Sequence, residues 1–209
     1  AVSRFELTEY SHKRVFSLIK LSEVADFNMK RIQVQWVKIW KLIGDHFVYV
    51  ITNTKEQNIW QNALDNLKQI IGKLLQKSDL SFYNFQIDFF KPFEIIFNQT
   101  KGIPERGQFV INYIHFIIGQ YGPFIHSGWV VIFRILKEGF QRKDPRINGD
   151  IQFMFKKMYD ENLIINNSSI EVFRGYIETL CYMYLDKSLK QYAFETILNL
   201  LSKIMNEMD

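Results

Sequence analysis

The feature that most constrains this chain is an apolar stripe at helical spacing that recurs from one end to the other. Its clearest instance places Ile32, Trp36, Ile39, Trp40, Ile43 and Phe47 at offsets of 0, 4, 7, 8, 11 and 15, which is one face of a helix. A second helix is expected from Thr54, whose hydroxyl can cap while Gln57 reaches back, with Ala63, Leu67, Ile70, Ile71 and Leu74 inward. A short element follows around Phe82 to Phe89. Lys91-Pro92 then predicts a break, because proline disfavours helical geometry in the residue before it, and a new helix to about Asn98.

The same punctuation continues. Ile103-Pro104 opens a helix that buries Val110, Tyr113, Ile114 and Ile117, and Gly119 to Pro123 closes it. Ser127 is expected to cap a helix bearing Trp129, Ile132, Phe133, Leu136 and Phe140. Asp144-Pro145 is a cap followed by proline in the first turn, leading through Ile151, Met154, Phe155 and Met158. Ser168 or Ser169 starts a helix to about Leu185, and Ser188 starts the last, with Ala193, Ile197, Leu200, Leu201 and Ile204 as its buried stripe.

Roughly nine helices with short connections recur at about 40 residues per helical hairpin, the period of HEAT or armadillo stacking. The fold class expected is therefore all-α, an α-solenoid, with residues 1–209 forming one helical-repeat domain. Only 4 prolines and 10 glycines interrupt 209 residues, too few for the closely spaced turns of a sandwich or barrel. No βαβ alternation is present, so parallel-sheet enzymes drop out as well. A start at Ala1 without an initiator methionine, with no signal-peptide core, predicts a piece of a longer protein.

Catalytic chemistry finds little support. The single cysteine, Cys181, cannot form an intrachain disulfide or a thiolate metal site, fits a reducing compartment, and is expected to be inert packing. No two of His12, His46, His115 and His126 have zincin spacing, Asp160-Glu161 reads as an exposed helix end, and no glycine-rich phosphate loop occurs. Gly107 to Phe133 lacks any charged residue, yet Gly119, Gly122 and Pro123 divide it into two core helices and their turn. The reading is a non-enzyme with no cofactor and no metal.

Charge is informative through its distribution. The net +4 is weak, but from Lys13 to Lys41 seven cations face only Glu23 and Asp26. Lys30, Arg31, Lys38 and Lys41 are therefore candidate contacts to an acidic protein or an anionic lipid surface, with Asp45 and His46 beside them. Polar groups inside aromatic segments need hydrogen-bond partners when buried, so Gln86, Asp88 and Ser127, with Trp36, Trp40, Pro92 and Trp129, are read as structural motif residues. An RNA-binding helical repeat or a general protein scaffold is the alternative; the confinement of the basic excess to one end argues against RNA.

Four blocks carry a resemblance to a known family. They are Arg14-Val-Phe-Ser-Leu-Ile-Lys-Leu21; Phe27 to Ile32 with Trp36, Ile39, Trp40 and Ile43-Gly-Asp-His-Phe47; Phe85-Gln-Ile-Asp-Phe-Phe-Lys-Pro-Phe-Glu94; and Ile125-His-Ser-Gly-Trp129 with Ile132-Phe133. In order and spacing they resemble the large brefeldin A-sensitive guanine nucleotide exchange factors for Arf GTPases, specifically the first homology region downstream of the catalytic Sec-seven domain. The resemblance is strongest over 14–133, and His126 stands where the family usually has arginine. It implies a non-catalytic regulatory region in vesicle-mediated transport that aids membrane recruitment and relief of autoinhibition. The implied partners are an Arf-family GTPase in its GTP form, anionic trans-Golgi membrane and other domains of the same exchange factor, with no nucleic acid. The implied location is cytoplasmic, peripheral on trans-Golgi membranes.

Overall fold

A computed structural model describes residues 15–29, 33–77, 85–166 and 169–208. These residues form nine α-helices and no strand: α1 Phe16–Asn28, α2 Gln33–Asn53, α3 Gln57–Leu75, α4 Phe85–Gln99, α5 Pro104–Tyr121, α6 Trp129–Gln141, α7 Pro145–Asp160, α8 Ile170–Leu185 and α9 Lys190–Met208. A 3-10 turn, Gly122–Phe124, joins α5 to α6. The all-α expectation holds.

Alternate helices stack on one another. α2, α4, α6 and α8 pack in succession as one row, α1, α3, α5 and α7 form a second, and α9 closes on α8. Each hairpin thus places one helix in each row, an arrangement compatible with HEAT or armadillo-type stacking. One apolar core runs between the rows. Trp40 meets Phe89 edge-on with centroids 5.6 Å apart, and farther along Phe133, Phe155 and Tyr176 interlock, with Phe155 and Tyr176 stacked at 4.9 Å.

Two arginines, Arg106 buried and Arg142 half-buried, tie this stack at helix ends. The last carbonyls of a helix have no intrahelical partner. Arg106, in the first turn of α5, donates to the carbonyls of Ile51 and Thr54 at 2.5 Å each and to Thr52 at 3.2 Å, closing the end of α2. Arg142, just past α6, donates to the Phe97 carbonyl near the end of α4 and lies over the Phe97 ring. Burial pulls both guanidiniums below their ordinary pKa, with Glu138 partly opposing this at Arg142.

The number of helices expected agrees with that found among the described residues, but by a different route. α4 runs without interruption through Pro92, where a break was expected, and α1 is an element that no single-faced stripe announced: Phe16, Val24 and Phe27 face solvent on it. Thr54 does not cap α3; its hydroxyl accepts from the Glu56 amide at 3.3 Å, an ST-turn before the helix begins at Gln57. Asp144 does cap α7, accepting from the Arg146 amide at 3.0 Å, while Ser169 occupies the cap position of α8 without a side-chain cap bond. At the last connection Ser188 does not start α9, which begins at Lys190; its amide instead donates to the Asp186 carboxylate at 2.8 Å in the turn that follows α8.

Burial follows the stripes except at the end of the chain. Ala193 and Leu200 are buried on α9, Ile197 is half-buried, and Leu201 is exposed, contrary to expectation; Ile204 lies outside the described side chains. Cys181 is exposed on α8 beside Tyr182, so the packing role expected for it does not hold. The uncharged stretch from Gly107 to Phe133 forms most of α5, the 3-10 turn and the start of α6. No described helix is long and apolar enough to cross a membrane.

Candidate partner-binding surface

Pro92 explains how α2 and α4 meet. A proline inside a helix removes the amide that would bond the carbonyl four residues back, here that of Asp88. The Trp40 indole Nε1 donates to the Asp88 carbonyl at 2.9 Å and replaces the missing bond. Approach this close needs a small residue on α2. A Cβ added to Gly44 would stand 3.1 Å from Pro92 Cγ, so a larger residue would require Pro92 to shift by a few tenths of an ångström. Trp40, Gly44, Asp88 and Pro92 are therefore one structural device, with the Asp88 carbonyl, not its carboxylate, as the working group.

A cavity of about 230 Å³ lies beside this seam. Its walls are apolar, from Trp40, Val48, Pro92 and Ile95, with Val37 at one side. Its rim is charged: α2 contributes Lys41 and Asp45, and α4 contributes Asp88 and Lys91. None of the four forms an ion pair among the described residues. Cations elsewhere on the same row are engaged across helices, as in Arg134 with Glu94 at 3.5 Å and Lys137 with Glu178 at 3.4 Å.

The expected contact residues separate into three groups. Lys38, Lys41 and Asp45, spaced three and four apart, share the exposed face of α2 with Leu42 and Tyr49. His46 lies about 100° farther round the helix and is half-buried, so the structure does not bring it to that face. Lys30 and Arg31 lie outside the described residues. Of the remaining described cations in the basic stretch, Lys20 is engaged by Glu23 at 2.7 Å.

The structural motif residues meet at a second node. The Gln86 side chain, 3% exposed, donates to the Phe124 carbonyl at 2.8 Å and accepts from the amides of His126 at 2.6 Å and Gly128 at 3.2 Å. One carboxamide thus holds the turn that launches α6. Ser127 does not cap α6 as expected; its hydroxyl is buried without a hydrogen-bond partner among the described residues, and the ties come from Gln86 across the helix row. A Cβ on Gly128 would stand 2.6 Å from Phe90 Cε2, which fixes glycine between Ser127 and the buried Trp129. His126 contributes its backbone amide while its side chain is exposed, so this node does not need arginine there.

Sequence reasoning missed Lys91, Leu42 and Tyr49 at the surface, Arg106 in the core and the half-buried Arg142. Opposite charges at Lys41/Asp45 and Asp88/Lys91 were legible, but such spacings usually signal pairs along one helix. Among the described residues no group of three or more His, Cys, Asp or Glu gathers as a metal site.

A family profile described as Mon2/Sec7/BIG1-like, HDS matches residues 73–149. Brefeldin A-inhibited guanine nucleotide-exchange protein 1 of Homo sapiens is 37% identical over 147 residues, 70% of this chain and 8% of that protein. Brefeldin A-inhibited guanine nucleotide-exchange protein 3 of Arabidopsis thaliana is 36% identical over 134 residues, 64% of this chain and 8% of that protein. The ADP-ribosylation factor guanine nucleotide-exchange factor sec71 of Schizosaccharomyces pombe is 36% identical over 128 residues, 61% of this chain and 7% of that protein. The chain thus spans less than a tenth of the length of these relatives. It belongs to the BIG/Sec7 exchange-factor family as a non-catalytic HDS homology region, distinct from the catalytic Sec7 domain.

Proposed function

We propose that this region is regulatory, binding an activated Arf-family GTPase and an anionic membrane surface so as to recruit an exchange factor and relieve its autoinhibition. The relatives' names supply the Arf connection and nucleotide exchange as the activity being regulated. The supporting observation in this chain is the exposed face of α2, where Lys38 and Lys41 carry no ion pair among the described residues and flank Leu42 and Tyr49. An unpaired cationic face with apolar anchors steers an acidic surface to it and gives the encounter area to bury. In the same proposal the region acts in the cytoplasm, peripherally on trans-Golgi membranes, in vesicle-mediated transport, alongside other domains of its exchange factor.

The test reverses Lys38 and Lys41 to glutamate and measures binding to GTP-analogue-loaded Arf and to phosphatidylserine vesicles by interferometry. Loss of at least tenfold in either affinity, with an unchanged circular dichroism spectrum, is expected. Unchanged affinity for both would overturn the assignment.

A further inference from the structure

We infer that the cavity between α2 and α4 receives one large apolar side chain from a protein partner whose flanking residues carry both signs of charge. Size comes first. A dry cavity of about 150 Å³ accommodates benzene, whereas drug-sized or cofactor-sized ligands occupy about 300 Å³ and more. The present cavity, at about 230 Å³, suits a leucine, methionine or aromatic side chain and is too small for a nucleotide.

Its chemistry agrees. Trp40, Val48, Pro92 and Ile95 offer apolar walls, and the cavity opens to solvent on the exposed side of the seam. Such a pocket desolvates an inserted anchor, the arrangement that concentrates binding energy in protein interfaces. The rim decides between partners. Lys41 and Lys91 are balanced by Asp45 and Asp88, so an anionic lipid headgroup meets as much repulsion as attraction. A polypeptide with a carboxylate on one side of its anchor and a cation on the other satisfies all four groups, and none is already engaged in an ion pair within the described residues.

The walls are also held in place before any ligand arrives. Trp40 is fixed by its bond to the Asp88 carbonyl, and Gly44 against Pro92 sets the width of the seam. Preorganisation of this kind reduces the entropy lost on binding. The inference rests on the proposed GTPase reading only for the identity of the first probe.

Methyl-labelled protein is titrated with three probes: Arf loaded with a GTP analogue, the peptide N-acetyl-Glu-Phe-Lys-amide at millimolar concentration, and phosphatidylserine vesicles. Expected are shifts of the Val37, Val48 and Ile95 methyls with the GTPase and the peptide and not with vesicles. Ile95→Trp, which fills the mouth, is expected to weaken both interactions at least tenfold; Lys91→Glu, fully on the surface, supplies the same test should the larger substitution unfold the protein. GTPase binding that leaves these methyls and both variants unaffected would overturn the inference and leave the GTPase reading intact. Peptide binding without GTPase binding would do the reverse. Response to neither probe, or a response of the three methyls to vesicles, would also overturn it.

Discussion

At the scale of single residues, the best-determined contacts are those that answer a lost or orphaned backbone group. Trp40→Phe keeps an aromatic ring, smaller than the indole, but leaves the Asp88 carbonyl without its donor, and a stability loss of about 1 to 3 kcal/mol is expected in urea denaturation. In a Pro92→Ala background the helix regains the amide that reaches this carbonyl, so the same change is expected to cost less. A double-mutant cycle showing no coupling would refute the compensation. Gln86→Leu removes a partner from three backbone groups at once and is expected to cost about 3 kcal/mol or more by the same measurement. Asp144 gives a pH signature. Its pKa is lowered chiefly by the hydrogen bond from the Arg146 side chain, so its contribution is present above its ordinary value of 3.8 and is lost as pH falls through the lowered one. Asp144→Ala, costing about 1 kcal/mol at neutral pH, is expected to cost progressively less under acid conditions.

At the scale of elements, helix ends are joined by groups distant in sequence. Arg106→Ala leaves the end of α2 without its donor to three carbonyls, and a loss of about 2 kcal/mol or more is expected, visible as faster amide exchange near Thr52 and Thr54. On α9, Leu200→Ala is expected to cost about 2 to 5 kcal/mol and Leu201→Ala within about 0.5, since the first is buried and the second exposed. The stripes of α3, α6 and α7 were legible because each buries one face, with consistent periodicity from Ala63 to Leu74 and from Trp129 to Phe140. α1 was not, because Phe16 and Phe27 lie on the face opposite the buried Leu18 and Ala25, which blurs the pattern. Pro92 misled for a different reason. Its local preference for a break is overridden by Trp40, 52 positions earlier, and no local rule contains that donor. Ser127 looked like a cap for the same want of long-range information: the group that serves α6 is Gln86.

At the scale of the whole molecule, two rows of helices present their faces to solvent while a continuous core holds them in register. The α2 surface was partly legible: Lys38, Lys41 and Asp45 share it, whereas the cavity with Lys91 exists only because α4 passes through Pro92 and meets Gly44. Charge on this surface has a consequence for conditions as well as for partners. Reversing Lys38 and Lys41 removes the attraction that salt screens, so partner binding by the native chain is expected to weaken between 50 and about 300 mM salt and that of the reversed variant to depend less on salt. The central claim is that the region reads the nucleotide state of an Arf-type GTPase. The most direct measurement is interferometry of the purified chain against Arf loaded with a GTP analogue or with GDP, with and without phosphatidylserine vesicles. Selective binding of the GTP form, strengthened by vesicles, is the expected result; equal binding of the two forms, or binding of neither, would contradict the claim.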